Sequence, residues 1–358
     1  MYDMHKKLNA FYENHVRLKE ERKKLTGYRD TNLDRLRDGL DKLKLPRFYD
    51  HVDQGSFAMF TINQHAKKDY DLDEGILFKK EGLPANALDA RKRVEKAMQE
   101  GGGNFAKPPE ALTNAVRIHY AEGHHIDLAI YRTYTDSFGV EIIEHAGCEW
   151  TPRDPMDITN WFNGAVVTRS PSGSVAYVEK NQLRRVVRWI KAFSKSRETW
   201  DLPGGLILSV LSEECYRSDY ARDDVSLYNT MNAILGRINI SQDVCNPVDR
   251  SQSLTERPVD KGRVCRLRDK LETGIEKLSV LNDLKCTEEE AMNAWYWIFQ
   301  HPFWSTDETK ENMNDLGNRL GKAAVDGSLF VTPTGRVLTQ PTSTPAIKAP
   351  PQRFYGEE

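Results

Sequence analysis

Leu33, Leu36, Leu40 and Leu43 recur three and four residues apart, which sets them on one face of an amphipathic helix. The stretch from Met1 to about Leu45 is otherwise rich in Lys, Arg, Glu and Asp, and Pro46 ends it. The texture then changes to short runs with strand character at 56–62, 70–78, 115–120 and 125–131. A helical pattern at 85–100 interrupts them, followed by the run Gly101-Gly102-Gly103. From residue 181 helical periodicity dominates, at 181–197, 205–216, 225–238, 262–281 and 287–299. Residues 331–358 are rich in Pro and Thr and predict a flexible tail. The order of elements predicts an α+β protein in two lobes facing a central cleft. Residues 1–180 form the first, a mixed sheet with helices, and 181–330 a helical second domain.

The polar positions inside the strand patterns carry the chemistry. Side chains alternate along a strand, so Asp71 and Asp73 share a face while Leu72 turns to the core. Asp69 continues that alternation and reads as the lead-in to the strand. Two adjacent carboxylates repel unless a cation sits between them. Magnesium, with manganese able to replace it, takes oxygen ligands and shares its shell with phosphates. Asp127 lies between Ile126 and Leu128 on the second strand of a hairpin turned at Gly123, facing away from both. It can complete a three-aspartate cluster for two metal ions about 3.5–4 Å apart. Upstream, Gln54-Gly55-Ser56 supplies a turn whose backbone N–H groups and hydroxyl suit a phosphate.

Composition narrows the partners. The formal net charge is −2, which excludes a basic surface for long nucleic acid but not small phosphorylated ligands. No apolar stretch reaches the ~18 residues needed to cross a bilayer, and the charged start Met1-Tyr2-Asp3-Met4-His5-Lys6-Lys7 is no signal region, so a cytoplasmic location without membrane contact is expected. The five cysteines are scattered and predict free thiols. His119, His124, His125 and His145 with Cys148 match no standard zinc module.

Gln54-Gly55-Ser56, Asp71-Leu72-Asp73-Glu74-Gly75 and His125-Ile126-Asp127 together resemble the signature of the DNA polymerase beta-type nucleotidyltransferases. Within these, the chain is most similar to the bacterial relatives of cyclic GMP-AMP synthase, the DncV-like group that makes cyclic oligonucleotide signals in anti-phage defence. Asp154-Pro155 with Trp161-Phe162, and the helix pattern Leu183-Arg184-Arg185-Val186-Val187-Arg188-Trp189-Ile190-Lys191, extend the likeness. The resemblance implies a polymerase beta-like core with a helical C-terminal domain, and two-metal transfer at Asp71, Asp73 and Asp127. It also implies a cyclic dinucleotide such as cyclic GMP-AMP made from ATP and GTP or other NTPs. A linear product, as from oligoadenylate-type or RNA-terminal enzymes, is the alternative. Lys191 matches a lysine that contacts the donor triphosphate, and Gln54, Gly55 and Ser56 join it in nucleotide binding. The other cations of that helix, Arg184 and Lys195, read as a solvated face. Where relatives place serines after this helix, Asp201-Leu202-Pro203-Gly204-Gly205 stands instead, and the amides of Gly204 and Gly205 can serve. Some relatives are conjugated through their C-termini by ubiquitin-like machinery. This chain ends Phe354-Tyr355-Gly356-Glu357-Glu358, which admits such a partner.

Overall fold

A computed structural model describes residues 1–64, 70–103, 105, 107–121, 123–172, 180–306, 322–324, 328–331, 337–338 and 347–348. Asp69, Gly356 and most of the Pro/Thr-rich tail lie outside these. The chain forms two compact units, Met1 with Asp3–Ser279 and Tyr2 with Val280–Glu358.

The first unit opens with helix α1 (His5–Phe11), a single π-type turn (Tyr12–Val16) and the long helix α2 (Glu20–Lys42). Leu33, Leu36 and Leu40 are buried on the face of α2 that the periodicity marks. Strand β1 (Asp50–Gln54) runs into one short helical turn, α3 (Gly55–Ala58). The strand expected at 56–62 is therefore absent: Gly55 takes φ +58°, which no strand accommodates, and the N–H of Met59 closes a helical turn on the Gly55 carbonyl. Then come β2 (Asp71–Lys79), α4 (Ala87–Gly101), β3 (Lys107–Ala111), β4 (Val116–His119), β5 (His125–Thr135), β6 (Glu141–Ala146) and β7 (Trp150–Pro152). These strands make one mixed sheet of order β1-β2-β5-β4-β3, with β6 joined to β5 and β7 to β6. Leu72, Ile76, Phe78, Ile126, Leu128 and Ile130 pack the core with the apolar faces of α2 and α4. The two helices cross very closely: a Cβ on Gly39 would fall 1.8 Å from the Ala97 carbonyl oxygen.

Helices α5 (Asp157–Arg169), α6 (Gln182–Ser194), α7 (Gly205–Cys215), α8 (Asp223–Ile240) and α9 (Pro258–Leu278) complete this unit. Helix α6 is enclosed by α5, α7, α8 and the π-type turn. Its cations are accordingly not a solvated face. Arg185 pairs with buried Asp223 at 2.9 Å. Arg188 is buried, donating to the Phe60 carbonyl at 2.8 Å and the Tyr12 hydroxyl at 3.0 Å. Arg184 is half-buried and donates to Asn163 at 2.8 Å. Only Lys195, just past the helix end, is exposed. The amphipathic pattern counted spacing along one helix and could not see neighbours covering its polar side.

In the second unit α10 (Glu288–Phe299) begins with a reciprocal cap between Thr287 and Glu290. Trp295, Phe299 and Trp304 are buried and stacked on one another, as core. The two-residue strands β8 (Phe330–Val331), β9 (Val337–Leu338) and β10 (Ile347–Lys348) pair antiparallel. No helix among the described residues is long and apolar enough to cross a membrane. All five cysteines are free thiols.

Candidate active site

The site is set by how two strands line up. β2 and β5 run parallel and adjacent, with Asp71 opposite His125 and Asp73 opposite Asp127. Parallel neighbours lie about 4.8 Å apart, and alternation turns all four side chains to one face while Leu72, Ile126 and Leu128 fill the core behind. A seam of three carboxylates and one imidazole results. Asp71 accepts from His125 Nε2 at 3.1 Å. Ligand atoms of Asp71, His125 and Asp127 all come within 4.8 Å of one another, the sole such group of acidic, His or Cys side chains among the described residues.

Charge is concentrated here. Burial, then the neighbouring Asp71 and Asp127, push the Asp73 carboxyl up to about 7. The hydrogen bond to Asp71 raises the His125 imidazole. Asp127 is buried and gripped by both arms of Arg117, its register partner on β4, at 2.7 and 2.6 Å. Arg117 and His125 offset the carboxylates only in part, and a cation among them would relieve the repulsion that raises Asp73. Hard carboxylate oxygens from two adjacent strands fit a divalent ion such as magnesium. His125 is a fourth donor that the aspartate pattern alone did not single out.

Facing Asp71 and Asp73 is a cavity of about 330 Å³. Gln54, Gly55, Ser56 and Lys191 line it too, together with Arg153 and Gly205. The predicted residues thus converge, except that Asp127 stands behind the cavity, one strand beyond Asp73. Gly55 has a specific reason to be glycine. Besides its positive φ, a Cβ there would meet Asp73 Oδ2 at 1.9 Å. The turn and the carboxylate are packed against each other, and the turn exposes Ser56 to the cavity. Gln54 lines the wall, but its side-chain amide donates to the Tyr131 hydroxyl at 3.0 Å and the Pro155 carbonyl at 2.8 Å. It ties β1 to the 154–155 turn, a positioning contact.

Lys191 reaches the cavity from α6. Its ammonium donates to Thr61 Oγ1 at 2.8 Å, and burial, then the like charge of Arg188, push it down to about 7. Gly205, at the start of α7, sits across from it: a Cβ there would lie 3.5 Å from Lys191 Nζ. The N-terminus of α7 therefore lies beside the lysine. Sequence reasoning missed Arg117, Arg153 and Thr61. Arg117 alternates with buried Val116 and Ile118, a signal that could have placed it on the face of Asp127. Among the described residues His145 joins no such group; its Nε2 lies 2.9 Å from the Asn114 carbonyl oxygen, and burial pushes it down to about 4.

Residues 49–131 match the family described as cyclic GMP-AMP synthase DncV-like, nucleotidyltransferase domain. Among solved structures the chain is similar to Vibrio cholerae DncV, a cyclic AMP-GMP synthase and prokaryotic cGAS homolog. That match has TM-score 0.64 and 17% identity, covering 86% of this chain and 99% of DncV. It is similar also to E. coli MS115-1 CdnC, seen with ATP, with TM-score 0.60 and 11% identity, covering 84% and 99%. DncV has further been seen with the linear intermediate 5′ pppA(3′,5′)pG, at TM-score 0.64 and 17% identity, covering 86% and 99%. Residues 49–131 are thus similar to a DncV-like nucleotidyltransferase domain, and the chain has the α+β fold that DncV and CdnC share.

Proposed function

We propose that this nucleotidyltransferase makes a cyclic oligonucleotide, a cyclic dinucleotide such as cyclic GMP-AMP, from ATP and GTP or other NTPs, as an anti-phage signal. The observation that carries the reading is the register of β2 and β5, which gathers Asp71, Asp73 and Asp127 beside a cavity walled by Gly55, Ser56 and Lys191. The DncV-like match and the nucleotide complexes of DncV and CdnC support it.

In this reading a donor triphosphate lies in the cavity with its β- and γ-phosphates toward Ser56, Lys191 and the first amides of α7. Lys191 takes up its proton fully as phosphate enters, since an anion reverses the penalty that burial imposes on the ammonium. Asp71, Asp73 and Asp127 would hold two magnesium or manganese ions. When bound, these would supply the positive charge that offsets the phosphates and acidifies the attacking hydroxyl. An acceptor ribose hydroxyl attacks the donor α-phosphorus, pyrophosphate leaves, and a second transfer closes the ring. Gln54 and Arg117 position this machinery, holding the 154–155 turn and the Asp127 carboxylate in place. Attachment through the C-terminal segment to a ubiquitin-like system rests on the sequence resemblance; intact-mass measurement of the protein from its host tests it.

The deciding experiment incubates the purified chain with all four NTPs, one labelled at its α-phosphate, and magnesium. A phosphatase-resistant product with the mass of a cyclic di- or trinucleotide upholds the reading. Linear oligomers with a free 3′ end would replace it with the linear alternative.

A further inference from the structure

A second cavity, of about 200 Å³, opens at the N-terminal half of α6 and shares no lining residue with the first. Its wall is cationic. Arg184, Arg188, Arg17 and Lys180 line it, with Glu13 as the one acidic group. Glu13 is already engaged by Arg17 and Lys19, at 3.1 and 3.0 Å. Arg185 also borders the cavity, but its charge is met by buried Asp223. Among the described residues neither Arg184 nor Arg188 pairs with a carboxylate: their side-chain bonds go to Asn163, the Tyr12 hydroxyl and a backbone carbonyl. The Nε of Arg184 is buried without a hydrogen-bond partner among the described residues. Burial, then the like charge of Arg188, holds the Arg184 guanidinium below its ordinary range, and burial, with the like charge of Arg17, does the same to Arg188. Two desolvated cations in one hollow, neither in a direct ion pair among the described residues, are a costly arrangement that an anion would relieve.

Shape and rim narrow the ligand. About 200 Å³ is room for roughly seven waters at ~30 Å³ each, enough for a polyphosphate or a phosphorylated sugar and too little for a nucleic acid strand. The wall is preformed. Tyr12 enters from the π-type turn, whose end is pinned by Gln64 donating to the carbonyls of Val16 and Arg17. Phe60, half exposed at φ +53°, closes the other side under the guanidinium of Arg22, 4.0 Å from its ring. We propose that this hollow is a second ligand site, separate from the nucleotide cavity, for a small molecule bearing two or more phosphates. Arg188 grips the Phe60 carbonyl while Lys191, one turn on, grips Thr61. A ligand on Arg188 therefore bears on the same two-residue segment that positions the proposed phosphate clamp.

The test needs no nucleotide product, so its failure is distinct from failure of the functional reading. Binding of inorganic tripolyphosphate and of fructose 1,6-bisphosphate is measured by titration calorimetry in EDTA, at low and moderate salt. Wild-type protein should bind at least one of them at a single site, more weakly as salt rises. Arg184→Glu and, independently, Lys180→Glu should each weaken binding about tenfold or more, at unchanged melting temperature. Lys191→Ala should leave it within about twofold, because that ammonium faces the other cavity. Binding abolished by Lys191→Ala but intact in both charge reversals would place the anion in the nucleotide cavity and overturn the proposal. No binding of either probe to wild-type protein would overturn it as well.

Discussion

Gly55→Ala is the sharpest single probe of the site, because one methyl group tests two features at once. The added carbon would stand 1.9 Å from Asp73 Oδ2 where ordinary contact begins at 3.4 Å, so the carboxylate must retreat about 1.5 Å or the turn must open. The backbone adds its own cost: φ of +58° is free to glycine and costs alanine about 1–2 kcal/mol. For a chain of this size that is a fall in melting temperature of about 1–4 °C. The catalytic effect should be much larger. Displacement of a catalytic group by about 1 Å costs on the order of 10²-fold in rate. Turnover of α-labelled NTP in magnesium should therefore drop about a hundredfold at saturating substrate, while circular dichroism shows a folded protein. An alanine variant within about threefold of wild-type kcat would refute the claim that the Gly55 turn and Asp73 form one constrained unit.

Three further outcomes follow from the same geometry. Asp71→Asn combined with Asp73→Asn should abolish nucleotide incorporation with the fold retained; wild-type turnover in that variant would remove the aspartates from the chemistry. Lys191→Ala should raise KM for the donor about tenfold or more, as loss of a charged hydrogen bond to phosphate predicts, and NTP titration of initial rates reads it. The Asp73 carboxyl gives a pH signature in metal-free buffer. Its folded value of about 7 lies above the ordinary 3.8, so between those values the folded chain holds an extra proton and this contribution to stability is lost as pH rises. Asp73→Asn should be more stable than wild type by about 1–3 kcal/mol at pH 8 and nearly equal to it at pH 4, judged by urea midpoints in EDTA. Equal midpoints at pH 8 would show that the carboxylates do not strain one another.

Sequence reading succeeded where a residue's fate depends on its immediate neighbours along the chain. Asp71, Asp73 and Asp127 were separable from the core because Leu72, Ile126 and Leu128 alternate with them, and alternation is a local property of a strand. The helix at 85–100 and those from residue 181 onward were legible for the same reason. Where the outcome depended on what comes from elsewhere, the pattern misled or fell silent. The segment after Gln54 carries strand-like Phe57, Phe60 and Ile62, yet a left-handed glycine turns it into α3. Helix α5, with Asn, Thr and Gly among its apolar residues, has too weak a periodicity to announce itself. Most telling is α6. Arg184, Arg188 and Lys191 recur at the spacing of a solvated stripe, and a helix seen alone gives no other reading. The structure covers that stripe with the π-type turn on one side and the 60–61 segment on the other. Enclosing four cations of one helix opposes folding unless something negative compensates them. Asp223 does so for Arg185 in a direct ion pair, and no described carboxylate pairs directly with the other three. In the proposed reading ligands supply the missing charge, and the two cavities described above lie at opposite ends of that one stripe.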